Sequence, residues 1–262
     1  MILEEIAQKT KERVRSEKEG LSLAELKGMA GSLPVHRNGV EYPFERALSK
    51  AGMSFICEVK KASPSKGVIA PNFPYVEIAK EYERAGADAI SILTEPFYFQ
   101  GSDEYLREIR SAVNLPLLRK DFTVDEYMIY QAKYIGADAV LLICAILSDM
   151  QLQEYAGLAH DLGLSALVEA HDEEEVRRAL HAGARIVGVN NRNLKDFTVD
   201  ITNSVRLREL VPKEVLFVSE SGMKTREDIE RLEKNGTNAV LIGETFMRSE
   251  DKAKMLRQLS GK

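Results

Sequence analysis

The residues able to do chemistry in this chain stand at the ends of short apolar runs. Glu58 and Lys60, two apart, close SFICEVKK; Lys120 closes LPLLRKD, Glu169 closes LSALVEA, and Glu220 with Ser221 closes EVLFVSES. Asn190 ends AGARIVGVN, and Arg192 follows two residues later. Lysines and carboxylates gathered out of water can share protons and act as general acids and bases. The same groups can also form structural ion pairs, and a lone charge at the end of an apolar run can mark where the chain meets solvent. A second chemistry is suggested near the end of the chain. Ser221-Gly222 and Gly243-Glu244 follow apolar runs, and Gly243-Glu244 leads into TFMRSEDKAKML, a helix candidate. Glycines let backbone N–H groups approach a ligand, and a helix N-terminus favours an anion such as phosphate. Glu244 suits such a site only if its N–H faces the anion while its side chain turns away. Tight turns alone would also explain these glycines.

Other chemistries lack their motifs. His36, His160, His171 and His181 have no metal-ligand spacing, and there is no C-x-x-C, H-E-x-x-H or G-x-S-x-G. No metal or organic cofactor is therefore expected. His171 is read as a loop or helix-capping residue. Cys57 and Cys144 lie in apolar runs, where cysteine acts as a small core residue.

The elements that must position these residues can be read from a repeat. AGADAISIL (85–93), IGADAVLLI (135–143), AGARIVGVN (182–190) and NGTNAVLIG (235–243) each place a glycine between a charged, helix-like stretch and an apolar run. That glycine suits a left-handed helix C-cap. Between them lie strand candidates over 54–61, 115–121, 164–170 and 214–221. The runs alternate little, as in strands buried on both faces. Eight strands alternating with amphipathic segments predict a (β/α)8 TIM barrel over 51–262. An open doubly wound sheet is the alternative, but the chain contains no G-x-G. In a barrel the site forms at the carboxy ends of the strands. Side chains alternate faces along a strand, so Glu58 with Lys60, Leu118 with Lys120, Leu167 with Glu169 and Val218 with Glu220 share faces. The charges would then cap inward-facing apolar columns around one mouth.

Residues 1–50 form an N-terminal helical extension of the barrel, with helices expected over 3–18, 23–29 and 44–50 and Ser22 as an N-cap. The extension has too few apolar residues for its own core. With 44% hydrophobic residues in 262, the chain can bury a large core. A net charge of −5 argues against a nucleic-acid groove or an anionic membrane as partner. The start of the chain is charged from Glu4 onward, and the longest apolar run, 139–147, is nine residues. A cytoplasmic protein is expected, as a monomer or weak homodimer.

At the first barrel strand the pattern becomes specific. FICEVKKASPSKG (55–67), with Glu58, Lys60, Ser63 and Pro64, closely resembles the signature of the indole-3-glycerol phosphate synthase family. PLLRKDF (116–122), LVEAHDEEE (167–175), GVNNRNL (188–194), VSESG (218–222) and LIGETFM (241–247) agree in order, so the resemblance runs through the whole chain. It implies a cofactor-free carboxy-lyase of tryptophan biosynthesis. The implied substrate is a small phosphosugar, 1-(2-carboxyphenylamino)-1-deoxyribulose 5-phosphate. Carried over by position, Lys120 would be the general acid for ring closure and Glu169 the general base or a partner in dehydration. Lys60, with Glu58, would hold the substrate carboxylate or supply the proton for dehydration. Asn190 and Glu220 would position ribulose hydroxyls, and Arg192 would neutralise substrate charge. Ser63, Ser221, Gly222, Gly243 and Glu244 would line the phosphate end. Phe99, Phe122 and Leu141 would wall the anthranilate ring, although each also suits a core. Two alternatives stay open: another phosphosugar barrel enzyme, an aldolase or isomerase, and a non-catalytic barrel that binds a phosphorylated ligand.

Overall fold

The computed structural model describes residues 2–193 and 196–261. Leu194, the last residue of the GVNNRNL motif, lies outside the described residues. Eight parallel strands close into a barrel: β1 (Ser54–Val59), β4 (Ala89–Leu93), β5 (Leu117–Lys120), β6 (Ala139–Ile143), β7 (Ser165–Ala170), β8 (Ile186–Asn190), β9 (Leu216–Glu220) and β10 (Ala239–Ile242), with β10 paired back onto β1. The fold is the TIM barrel that the repeat predicts. The expected strands are present but shorter, because the flanking glycines and charged residues belong to turns. Lys60, Asp121, Ser221 and Gly243 thus sit one residue past their strands, on the rim.

Alternation divides the core in two. Ile56, Leu118, Leu141, Leu167, Ile186, Val218 and Leu241 fill the barrel interior. Phe55, Cys57, Leu117, Val140, Val168 and Phe217 face outward, against the helices. The apolar columns below Glu58, Lys120, Glu169 and Glu220 are therefore the interior ones. Between strands run α4 (Tyr75–Ala85), α5 (Asp103–Ala112), α6 (Glu126–Ile135), α7 (Asp149–Asp161), α8 (Glu173–His181), α9 (Thr202–Arg208) and α10 (Arg226–Lys234). Gly86 and Gly136 are left-handed C-caps, with φ of 90° and 91°. The repeat glycines mark helix ends, as their placement predicts.

Three differences from the expected elements matter near the site. A two-stranded hairpin, β2 (Ala62–Ser63) with β3 (Gly67–Val68), follows β1 and carries the S-P-S segment. The single helix expected after Gly243 is two, α11 (Glu244–Arg248) and α12 (Lys252–Ser260), because Asp251 caps a new start by accepting from the Lys254 N–H. His171 lies in a loop, but the cap of α8 is Asp172, which accepts from the Glu175 N–H.

The extension forms α1 (Ile2–Gly20), α2 (Leu23–Gly31) and α3 (Pro43–Leu48). Ser22 begins α2 in a reciprocal capping box with Glu25. Phe44 and Leu48 of α3 join the interior cluster at the end where the strands start. Ala7 and Val14 of α1 and Leu26 of α2 pack on Val124 and on Tyr127 and Met128 of α6. Arg13 then reaches Asp121, immediately after β5, at 2.9 Å. Asp121 is buried, and it also accepts from Thr94 Oγ1 (2.7 Å) and the Phe122 N–H (2.8 Å). Burial disfavours its charge, but Arg13 and Arg119 outweigh that and hold its carboxyl below the usual carboxylate range.

Asp121→Asn keeps the shape and removes the charge. Breaking a buried ion pair from one side is expected to cost about 3 kcal/mol in urea unfolding. A folded carboxyl below its unfolded value stabilises fully above about pH 4 and loses that contribution as pH falls through the folded value. The difference between wild type and variant should thus be widest near neutrality and shrink in acid. A difference that stayed constant down to about pH 2 would show that the charge contributes nothing.

Candidate active site

One cavity of about 970 Å³ opens at the carboxy ends of the strands, and every site residue expected from the sequence lines it. Each arrives by the same route: an inward position at the last residues of a strand, or the turn just beyond. Lys120 lies at the centre of the charge cluster. Its Nζ donates to Glu169 Oε2 at 3.1 Å and lies 3.6 Å from Glu220 Oε2. Asn190 Nδ2 donates to the other Glu169 oxygen at 3.3 Å, and Asn190 Oδ1 accepts from the Arg192 N–H at 3.0 Å. Beside them, Lys60 Nζ is bonded to Glu58 Oε1.

Burial disfavours the charge of Lys120, but Glu169, Glu220 and Glu58 outweigh it and hold the ammonium above the ordinary lysine range. Burial would likewise raise Glu169, yet Lys120 and His171 keep it well below the usual carboxylate range. Glu220 goes the other way: burial, and then its neighbours Glu169 and Glu58, raise it despite Lys120. Its Oε1 is buried without a hydrogen-bond partner among the described residues. Two adjacent carboxyls are pushed apart, one toward its anion and the other toward its proton-bearing form, which is an electrostatic basis for separate base and acid roles.

Two glycines make room for this cluster. A side chain at Gly188 would strike Glu220 Oε1 and approach Leu167 Cδ1 to 3.1 Å. One at Gly243 would come 2.8 Å from Lys60 Nζ and closer still to Glu58 Oε1. Gly243 therefore accommodates the Glu58–Lys60 pair. Ser221 (φ 68°) and Gly222 (φ 99°) form two successive left-handed residues on the cavity wall. The unusual Ser221 backbone turns the chain sharply as it leaves β9. Glu244 turns its carboxylate to Arg248 (3.1 Å), Lys66 (3.8 Å) and Arg192 (3.8 Å). The acid that looked out of place by charge is thus neutralised by three cations. Phe99 and Phe122 face each other on the wall, centroids 6.0 Å apart. Buried Glu95 accepts from the Phe97, Tyr98 and Phe99 N–H groups and so folds the loop that presents Phe99.

Several lining residues escape the strand-end reading. Ile2, Leu3 and Ile6 of α1 reach the cavity, as do Lys66, Arg231 and Arg248. Nothing in local sequence connects α1 to a mouth built a hundred residues later. His171 stands directly behind Glu169, its Nε2 3.4 Å from Oε1; its place one residue past a charged strand end was the available signal.

A closed parallel barrel with a half-buried lysine between two carboxylates at its carboxy mouth defines a (β/α)8 barrel whose site is equipped for acid–base chemistry. Comparison with known proteins narrows the class. The family model described as indole-3-glycerol phosphate synthase matches residues 3–259. Indole-3-glycerol phosphate synthase of Ruminiclostridium cellulolyticum is 58% identical over 261 residues, covering 100% of this chain and 99% of the relative. That of Endomicrobium trichonymphae is 56% identical over 259 residues, 99% of each. Among solved structures, 3-hexulose-6-phosphate synthase from Salmonella typhimurium has a TM-score of 0.66 at 14% identity, covering 80% of this chain and 97% of that one; it shows the fold alone. The chain belongs to the indole-3-glycerol phosphate synthase family and, with it, to the carboxy-lyases of tryptophan biosynthesis.

Gly188→Ala tests the packing of the cluster. The added methyl displaces the flexible end of Glu220 rather than backbone, so the protein should fold with nearly unchanged stability. A displacement of about 1 Å at a catalytic centre is expected to lower turnover roughly 10²-fold. Wild-type turnover in a folded Gly188→Ala would show that the placement of Glu220 is immaterial.

Proposed function

We propose that this chain converts 1-(2-carboxyphenylamino)-1-deoxyribulose 5-phosphate to indole-3-glycerol phosphate, carbon dioxide and water. The observation that carries the reading is Lys120, a half-buried cation within reach of Glu169 and Glu220 in a cavity with cationic residues at its rim. The carboxylate-bearing ring carbon attacks the C2 carbonyl of the sugar chain. Lys120 gives its proton to the carbonyl oxygen as the new carbon–carbon bond forms. Carbon dioxide then leaves from the same ring carbon and returns the bonding pair to the ring. Finally the hydroxyl departs as water, taking a proton from Lys60, while Glu169 removes the proton from C1 and the indole double bond forms. Glu220, pushed toward its proton-bearing form, and Asn190 hold the sugar hydroxyls. Arg192 neutralises substrate charge. Ser63, Ser221, Gly222, Gly243 and Glu244 line the phosphate end, and Phe99, Phe122 and Leu141 flank the ring.

The rival barrel reactions fit less well. A Schiff-base aldolase needs an uncharged lysine amine, whereas Lys120 is held as a cation and Lys60 is paired with Glu58. An isomerase of the same pathway would need a Cys/Asp pair at the mouth, whereas Cys57 is buried in the outer layer. A pure binding protein has no need of the acid–base set. We place the chain in the cytoplasm, as a monomer or weak homodimer acting on a small phosphosugar, with neither nucleic acid nor membrane as partner. Among the described residues no helix is long and apolar enough to cross a membrane.

Incubation with the carboxyphenylamino-deoxyribulose phosphate should produce indole fluorescence; its absence would overturn the reading. Lys120→Ala is expected to lower turnover by roughly 10²-fold or more, the range of a general acid, with the fold intact. In rapid-quench experiments Lys60→Ala should release carbon dioxide ahead of the indole product, and Lys120→Ala should release none early. Equal loss of early carbon dioxide in both would assign Lys60 to binding or ring closure instead.

A further inference from the structure

His171 does not line the cavity, yet it completes a row of three groups leading into it. The Glu175 carboxylate at the start of α8 accepts from the His171 backbone N–H at 2.8 Å, and the same oxygen lies 3.1 Å from Nδ1. This carboxylate fixes the ring and directs Nε2 inward. Nε2 is buried, has no hydrogen-bond partner among the described residues, and stands 3.4 Å from Glu169 Oε1. The Asn203 amide on α9 holds the loop by donating to the His171 carbonyl at 3.0 Å. With Nδ1–H given to Glu175, a neutral ring would point a lone pair at the Glu169 carboxylate. A protonated ring turns that repulsion into attraction and places a cation between two acids.

We propose that His171 is a positioning residue: its imidazolium, anchored by Glu175, keeps Glu169 ionised and oriented, so that the proton shared between Glu169 and Glu220 resides on Glu220. The proposal rests on the reading of Glu169 as the base of the reaction. Its logic is that of two neighbouring carboxylates and one proton. Lys120 donates to Glu169 at 3.1 Å and lies 3.6 Å from Glu220, so it already leans toward Glu169, and the ring adds a second cation directly against that acid. The charged groups facing His171 are Glu169 on β7, Glu175 on α8 and Glu220 on β9. Lys120 on β5 lies beyond Glu169, and the Cys144 thiol donates to the Glu175 carbonyl from behind (3.5 Å). Burial opposes the imidazolium, but Glu175, Glu169 and Glu220 outweigh it and raise the ring above the ordinary histidine value.

The test combines kinetics with histidine NMR. The chain has four histidines, so His171→Gln identifies the His171 resonance by its loss. In wild type that resonance should titrate above the ordinary imidazole value, and Glu175→Gln and Glu169→Gln should each lower its midpoint. His171→Gln should lower kcat roughly 10-fold while KM stays within about twofold, the pattern of a group that acts on the chemical step. As pH rises through the His171 midpoint, wild-type kcat should fall toward the level of the variant, whose own profile lacks that step. A purely structural role would not move the pH profile. Unchanged kcat and an unchanged alkaline limb in His171→Gln, or a His171 midpoint unaffected by Glu169→Gln, would overturn the proposal. If wild type fails to act on the substrate, the reaction assigned above falls, and the resonance still decides whether His171 and Glu169 are coupled.

Discussion

A half-buried lysine held between two buried carboxylates is the constraint on which the mouth of this barrel depends. An ammonium taken out of water costs several kcal/mol unless opposite charge stands close by. Here Lys120 on β5 is met by Glu169 on β7 and Glu220 on β9. These strands are not hydrogen-bonded neighbours, so their side chains meet only because the sheet is closed and all three point inward. Gly188 on β8, between the two acids, leaves space for Glu220. Removing Lys120 would leave the two acids facing each other without a cation.

The same electrostatics sorts the groups by role. Glu169 and Glu220 are both buried glutamates at strand ends, but they are not equivalent. Glu169 has Lys120 on one oxygen and Asn190 on the other, with His171 behind it. Glu220 has one oxygen without a partner among the described residues. One is suited to accept a proton and the other to hold one. Toward the rim, Lys66, Arg192 and Arg248 gather around Glu244, so the cavity passes from an acid–base floor to a cationic edge. That gradient suits a substrate with its reacting carbons at one end and a phosphate at the other.

Outside the barrel, the extension is joined to the site through the residue next to Lys120. Arg13 of α1 bonds Asp121, and Lys18 pairs with Asp125, the N-cap of α6, at 2.8 Å. Those contacts lay α1 across the mouth, where Ile2, Leu3 and Ile6 become cavity wall. The fold thus uses a segment outside the β/α repeat to finish the site.

Local sequence determined a great deal about this protein. The spaced glycines and apolar runs predicted eight strands and their order, because helix caps and buried strands leave their mark within about ten residues. Alternation placed Glu58, Lys60, Lys120, Glu169 and Glu220 on inward columns, and the structure brings them to one cavity. The hairpin carrying Ser63 and the break between α11 and α12 left weaker marks, since a two-residue strand and a single Asp cap carry little periodic signal. Closure decided the rest. Which acid faces Lys120, which glycine spares which side chain, where α1 lies and what stands behind Glu169 depend on contacts between residues dozens to a hundred positions apart. Periodicity gives the side of a strand on which a residue lies, but partners across a barrel are chosen by the register and twist of the whole sheet, and the charge each group carries is then set by those partners.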